Sequence, residues 1–148
     1  MKRKITFQQL AEISTSRWNE ILQLRSIVFV EEQQCVYLDP DASDETATHL
    51  MCAENDRLVA YLRIISNDAW HIGRVVVPVA KRGRSLGAEI VSESIQYCLK
   101  LDPEKEIVMS AQVYLTDFYG TLGFHPRGSM YLEDGIPHLE LVYHQSLI

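Results

Sequence analysis

The stretch from residue 73 to 91 constrains this chain most. An apolar run, Val75-Val76-Val77, stops at Pro78. A basic turn follows, Lys81-Arg82-Gly83-Arg84-Ser85, and Leu86-Gly87-Ala88-Glu89-Ile90-Val91 then opens a helix. A strand that turns directly into a helix is a building unit of α/β folds. The first turn of a helix presents unbonded N–H groups and about half a positive charge. Glycine lets an anion approach that backbone closely. Gly83 and Gly87, flanked by Arg82 and Arg84, therefore read as a place for anionic oxygens, phosphate first among them. The glycine spacing matches neither a Walker loop nor a dinucleotide fingerprint. The ordinary alternative is a strand-to-helix turn with solvated arginines.

The chain has 148 residues, 47% of them apolar. That length predicts one domain over 1–148 around a single core. The net charge of -6 excludes a global basic field for nucleic acid, so an anion site must be local. Cys35, Cys52 and Cys98 lie outside metal-ligand spacing and are odd in number. Neither a disulfide framework nor a Cys-rich metal site is expected, and a reducing cytoplasm fits. Cys52 and Cys98 read as small core residues. Met1-Lys2-Arg3-Lys4 is basic with no long apolar run behind it, so neither a signal peptide nor a membrane span is expected.

Periodicity places the elements. Residues 5–10 read as a short strand. Ser14 or Ser16 caps a helix over residues 16–30 carrying Trp18, Ile21, Leu22, Val28 and Phe29. Residues 34–47 are acidic and polar, a solvated connector or a cation-attracting lip. Residues 49–54 and 58–65 form a hairpin about Asn55-Asp56, and residues 70–77 the next strand. A helix follows Gly87, then a strand over 107–111, a helix over 115–122 and a last strand over 138–143. The order predicts an α/β (α+β) fold, a mixed sheet of six to seven strands with helices on both faces. Trp18, Trp70, Phe29 and Tyr114 read as core. An exposed sheet edge could pair two subunits.

The strand Val75-Val76-Val77-Pro78 followed by Arg82-x-x-x-Leu86-Gly87 resembles motif A of the GNAT N-acetyltransferase superfamily. Gln112, then Phe118-Tyr119-Gly120-Thr121-Leu122-Gly123-Phe124, resembles motif B of the same superfamily, with Gln where Asn is usual. Residues 24–33 and 131–138, with His49-Leu50, Ala60-x-x-Arg63 and Ile72-Gly73-Arg74-Val75, resemble the ElaA-type branch, so the likeness spans nearly the whole chain. The resemblance implies a GNAT fold and acetyl-CoA as co-substrate. It implies that the amides of Arg82, Gly83, Arg84, Ser85, Leu86, Gly87 and Ala88 bind pyrophosphate. The main chain of Val75, Val76 and Val77 would hold the pantetheine arm, and Gln112 and Tyr119 would sit near the thioester. Ser85 stands where the family usually has Gly, which puts the loop's shape in question.

The implied reaction is attack of an amine on a thioester. A backbone N–H aimed at the carbonyl oxygen helps as negative charge grows there, and the resemblance puts that donor in the Val75–Val77 strand, at a bulge. Tyrosine, with an ordinary pKa of about 10, is protonated at neutral pH, so Tyr119 can act as general acid on the leaving thiolate. An acceptor ammonium must be bound and then deprotonated. Glu32, Glu133, Asp134, His49 and His138 are candidates, with His138 and Glu32 preferred for catalysis. Phe29, Gln33, His49, Arg63, Glu133 and Asp134 are expected to line the acceptor side. Each has an ordinary alternative: a turn at Asp134-Gly135, a hydrogen-bonded core histidine, and an ion pair from Arg25 or Arg63 to one of these acids. The strand over 70–77 carries no carboxylate to serve as base. A small-molecule or peptide amine is the expected acceptor, with no nucleic acid, membrane or metal involved. The competing class is a non-enzymatic acyl-CoA-binding module.

Overall fold

A computed structural model describes residues 2–145; Met1 and residues 146–148 lie outside the described residues. The elements are β1 (Arg3–Gln9), α1 (Thr15–Arg25), β2 (Thr48–Glu54), β3 (Arg57–Ser66), β4 (Trp70–Val76), α2 (Leu86–Leu101), β5 (Ile107–Gln112), α3 (Thr116–Gly120), β6 (Phe124–Glu133) and β7 (Ile136–Tyr143). Seven strands form one sheet in the order β1-β2-β3-β4-β5-β7-β6. Among the described residues only β4 and β5 pair in parallel, and every other pair is antiparallel. The sheet is therefore mixed, with helices on both faces, as the element order predicts.

Alternation along the central strands divides the core in two. Leu50, Cys52, Ala60, Leu62 and Ile64 face α2, where Ile90, Val91, Ile95 and Cys98 form the apolar stripe. Met51, Tyr61 and Val76 face the other side and meet Ile21, Leu24 and Val28. Burial pushes the Cys98 thiol up to about 12, so it packs as an inert hydrophobe. Ser14 caps α1: its hydroxyl accepts from the Arg17 N–H at 3.1 Å.

Four expectations need correction. The first helix ends at Arg25 and continues as a π-helical stretch, Ser26–Glu32. Such widened turns recur at functional sites, and this one ends in the cleft described below. Second, residues 124–133 form a strand that periodicity does not reveal. β6 is an edge strand whose residues after Phe124 are exposed on both faces, so no apolar alternation marks it. Third, Tyr114 is 74% exposed rather than core.

The fourth concerns residues 34–47, largely exposed but more than a solvated connector. Asp39 and Asp44 are buried, and they meet Arg25, which is fully buried. Arg25 Nε donates to Asp39 Oδ2 at 2.7 Å, and Nη1 donates to Asp44 Oδ1 at 2.8 Å. Arg63 Nη1 donates to Asp41 Oδ1 at 2.6 Å and to Asp44 Oδ1 at 2.9 Å. Buried charge survives only when paired and hydrogen-bonded, so these acids strap the segment onto the sheet. The arginines do pair with acids, but with these rather than with Glu32, Glu133 or Asp134.

Candidate active site

β4 and β5 pair at Trp70–Ile107 and His71–Val108 and then part. The splay opens a cleft of about 670 Å³. One wall is formed by Gly73 to Val77, the other by Met109 to Gln112. The turn at residues 81–88 and the start of α2 close one end. Glu133, Asp134, Ile136 and His138 of the β6–β7 hairpin reach the other wall, with Phe29, Glu32 and Gln33 from the π-helical segment.

β4 is bulged inside the cleft. Arg63 pairs with Gly73 and Tyr61 with Val76, so Leu62 alone opposes both Arg74 and Val75. Arg74 takes φ +52°, a left-handed conformation costing a non-glycine residue about 1–2 kcal/mol. Ser85 sits at φ +61°, ψ +20°, just ahead of α2. Ser85 thus holds a left-handed backbone that glycine takes more readily.

Arg82 lines the cleft. Its Nη1 and Nη2 donate to the two Glu32 carboxylate oxygens at 3.0 and 3.1 Å, and its Nε donates to the Val77 carbonyl at 3.0 Å. Arg84 does not line the cleft; its Nη2 donates to buried Glu54 at 2.6 Å, and Arg3 meets the same carboxylate. Arg84 therefore braces the turn from behind, while Lys81, Gly83, Ser85, Leu86, Gly87 and Ala88 face the cleft. A Cβ on Gly87 would lie 3.7 Å from the Phe118 ring, so Gly87 sits under Phe118 at the helix mouth.

Tyr119 is 6% exposed and lies on the cleft wall. Burial, with a smaller push from Tyr114, raises its phenol to about 12. Gln112 Nε2 donates to Gln33 Oε1 at 3.2 Å, bridging β5 to the end of the π-helical segment. Opposite Gln112 in the β5–β7 register stands His138. Its Nδ1 lies 2.7 Å from the Ile136 carbonyl, which can only accept, so Nδ1 carries the proton. Nε2 is left facing Glu133 Oε2 at 3.4 Å.

His49 and Arg63 stand apart from the cleft, in the buried polar cluster. His49 Nε2 donates to the Asp44 carbonyl at 2.9 Å, and Nδ1 accepts from the Tyr61 hydroxyl at 2.6 Å. Burial lowers the His49 pKa, so the ring is held neutral. Residue-type reasoning could not separate this histidine from His138; the difference lies in which acids the fold brings near. Tyr37, Arg74 and Phe118 line the cleft without having been singled out for it. Phe118 had a signal in the aromatic pair of the second motif. Tyr37 had none.

No cluster of His, Cys, Asp and Glu among the described residues is arranged to hold a metal ion. No helix among them is long and apolar enough to cross a membrane.

A mixed sheet parted between two parallel strands, with a glycine-containing turn feeding a helix at the gap, defines the GNAT class of acyltransferase fold. The chain belongs to the acetyltransferase (GNAT) domain family, whose model matches residues 28–144, and within it to the ElaA-like branch. It is 42% identical to the protein ElaA of Escherichia coli over 135 residues, 87% of this chain and 88% of that protein. The crystal structure of E. coli ElaA superposes with a TM-score of 0.90 and 37% identity in the structural alignment, covering 97% of this chain and all of that one. An acyl-CoA N-acyltransferase from Pseudomonas aeruginosa superposes with a TM-score of 0.91 and 34% identity, over 97% of this chain and all of that one.

Proposed function

We propose that this chain is an N-acetyltransferase, acting in the cytoplasm as one domain, that moves the acetyl group of acetyl-CoA to a primary amine by direct attack in a ternary complex. The observation that carries the reading is the parted β4–β5 pair, which exposes a bulged backbone edge beside the turn into α2 and opposite Tyr119. An unpaired strand edge can hold a pantetheine arm by strand-like hydrogen bonds. The amides of Gly83 to Ala88 and the α2 N-terminus suit a pyrophosphate, with Lys81 and Arg82 beside them.

The thioester supplies an electrophilic carbonyl. Backbone N–H groups around Val75 stabilise the charge that grows on its oxygen. Tyr119, kept protonated by burial, donates to the departing thiolate. His138 serves as base at Nε2, its tautomer held by the Ile136 carbonyl, and Glu133 stabilises the imidazolium that results. Glu32 is the weaker base candidate, because Arg82 occupies both of its oxygens. The acceptor is a small-molecule or peptide amine whose ammonium meets Glu133 and Asp134, with Phe29 and Gln33 on the same side. The three free cysteines, two of them buried, fit a reducing compartment.

Two measurements test this. A ligand present at a hundredfold over its Kd stabilises by about 2.7 kcal/mol, so millimolar CoA or acetyl-CoA should raise the melting temperature. The absence of any shift removes the reading. Release of free thiol from acetyl-CoA with a panel of amines, polyamines and peptide N-termini then separates an enzyme from an acyl-CoA-binding module.

A further inference from the structure

Arg74 is the residue at the bulge of β4, and it holds a backbone conformation that favours glycine or asparagine. Something outside the strand must keep it there. Its Nη2 donates to the Asp39 carbonyl at 3.0 Å, and its Nε lies 2.9 Å from Asp39 Oδ1, an ion pair without hydrogen-bond alignment. A second carboxylate, Asp41 Oδ2, is 3.5 Å from Nη2. The guanidinium also lies over the Tyr37 ring, 5.6 Å from its centroid. Asp39 cannot yield, because it is buried and Arg25, itself fully buried, holds its other oxygen at 2.7 Å. Tyr37 donates its hydroxyl to Asp39 as well. The bulge is thus tied through one side chain to the strap of residues 34–47, and through Asp39 to α1.

We infer that Arg74 is a positioning residue: its anchorage on Asp39 holds the β4 bulge so that backbone N–H groups in the cleft wall meet the thioester oxygen. The inference goes beyond the proposed reaction and rests on it. Arg74 lines the cleft, yet its Nη2 and Nε are turned to the strap. Its contribution passes through the backbone it holds. The strap is then part of the active-site scaffold, because a donor aimed at developing charge works only when its position is set beforehand.

Arg74→Gly and Arg74→Asn both accept the left-handed backbone and remove the anchor, so any loss reports the anchor rather than backbone strain. Isothermal titration with CoA and with acetyl-CoA, hydrogen exchange at residues 73–76, and steady-state kinetics read the effect. The expected result is CoA affinity within twofold of wild type and acetyl-CoA affinity weakened about fivefold, one lost hydrogen bond. Exchange at 73–76 should speed up, and kcat should fall by roughly ten- to a hundredfold, with KM for acetyl-CoA rising about as much as its Kd. Either variant matching wild type in exchange at 73–76, or in preference for acetyl-CoA over CoA, overturns the inference. A wild-type protein that binds neither ligand overturns the proposed function instead, and the exchange measurement still reads the anchor.

Discussion

Arg82 and Glu32 form a two-pronged ion pair across the cleft, at 3.0 and 3.1 Å, joining the turn before α2 to the end of the π-helical segment. The pair takes up a cation of the turn beside the proposed pyrophosphate site and the acid favoured from sequence as a base. Each side chain is roughly two-fifths exposed, so the pair is worth at most about 1 kcal/mol.

Glu32→Gln should therefore free Arg82 for the anion and tighten CoA binding by up to about fivefold at low ionic strength. The gain should shrink as salt screens the exposed guanidinium. Titration calorimetry at two salt concentrations checks this. Unaltered CoA affinity together with a turnover loss of several orders of magnitude returns the base role to Glu32.

Tyr119→Phe should lower kcat by roughly a hundredfold or more while leaving KM for acetyl-CoA unchanged, the size expected for a lost general acid. The folded-state pKa of about 12 lies above the ordinary value of about 10. Stability linked to this phenol is therefore complete below about pH 10 and is lost as pH rises through about 12. Its donor role persists through the neutral and mildly alkaline range, so a rate profile falling between pH 7 and 10 must be traced to another group. Steady-state kinetics on wild type and variant across that range decide the point.

Gly87 separates space from charge. A Cβ there meets Phe118 at 3.7 Å and Val77 at 3.9 Å, ordinary contacts, and the residue is in a helix, where alanine is favoured by up to about 1 kcal/mol. Gly87→Ala should fold with equal or greater stability. Gly87→Asp sets a carboxylate at the helix mouth and should abolish the CoA-dependent rise in melting temperature. Thermal melts of both variants with and without CoA test the pair; an intact shift in Gly87→Asp sinks the loop assignment.

Asp44 governs acid stability. Burial alone would raise its pKa, but hydrogen bonds and charge from Arg25, with Arg63 beside it, lower it from 3.8 to about 2. A depressed folded-state pKa means stability that is present above about pH 4 and lost as pH falls toward 2. Asp44→Ala leaves Arg25 and Arg63 with one buried partner fewer and should cost about 3–5 kcal/mol. Chemical denaturation at pH 7 and pH 3 should show the variant far weaker at the higher pH, with the gap narrowing in acid.

Much of the fold was legible because it is written in local periodicity. The hairpin about Asn55-Asp56, the strand ending at Pro78 and the helix after Ser85 each announce themselves within a dozen residues. β6 did not, since an edge strand exposed on both faces has no alternation to display. The π-helical stretch reads in sequence as ordinary helix because Val28 and Phe29 suit either spacing. Val75 to Val77, Gly83, Ser85 to Ala88, Gln112, Tyr119, Glu133, Asp134 and His138 line one cleft. Arg84, His49 and Arg63 turn away because each finds a buried partner: Glu54, the Asp44 carbonyl, and Asp41 with Asp44.

By itself the sequence determined the family, the order of most elements and the turn that opens α2, because these depend on neighbours along the chain. The tertiary structure alone decided which acids answer which arginines. Residues 34–47 look like a solvated acidic loop until Arg25, Arg63 and Arg74 meet them from three different elements. Charge pairing across such sequence separations leaves no periodic trace. It is set by where the folded sheet and helix leave a buried cation in need of a partner.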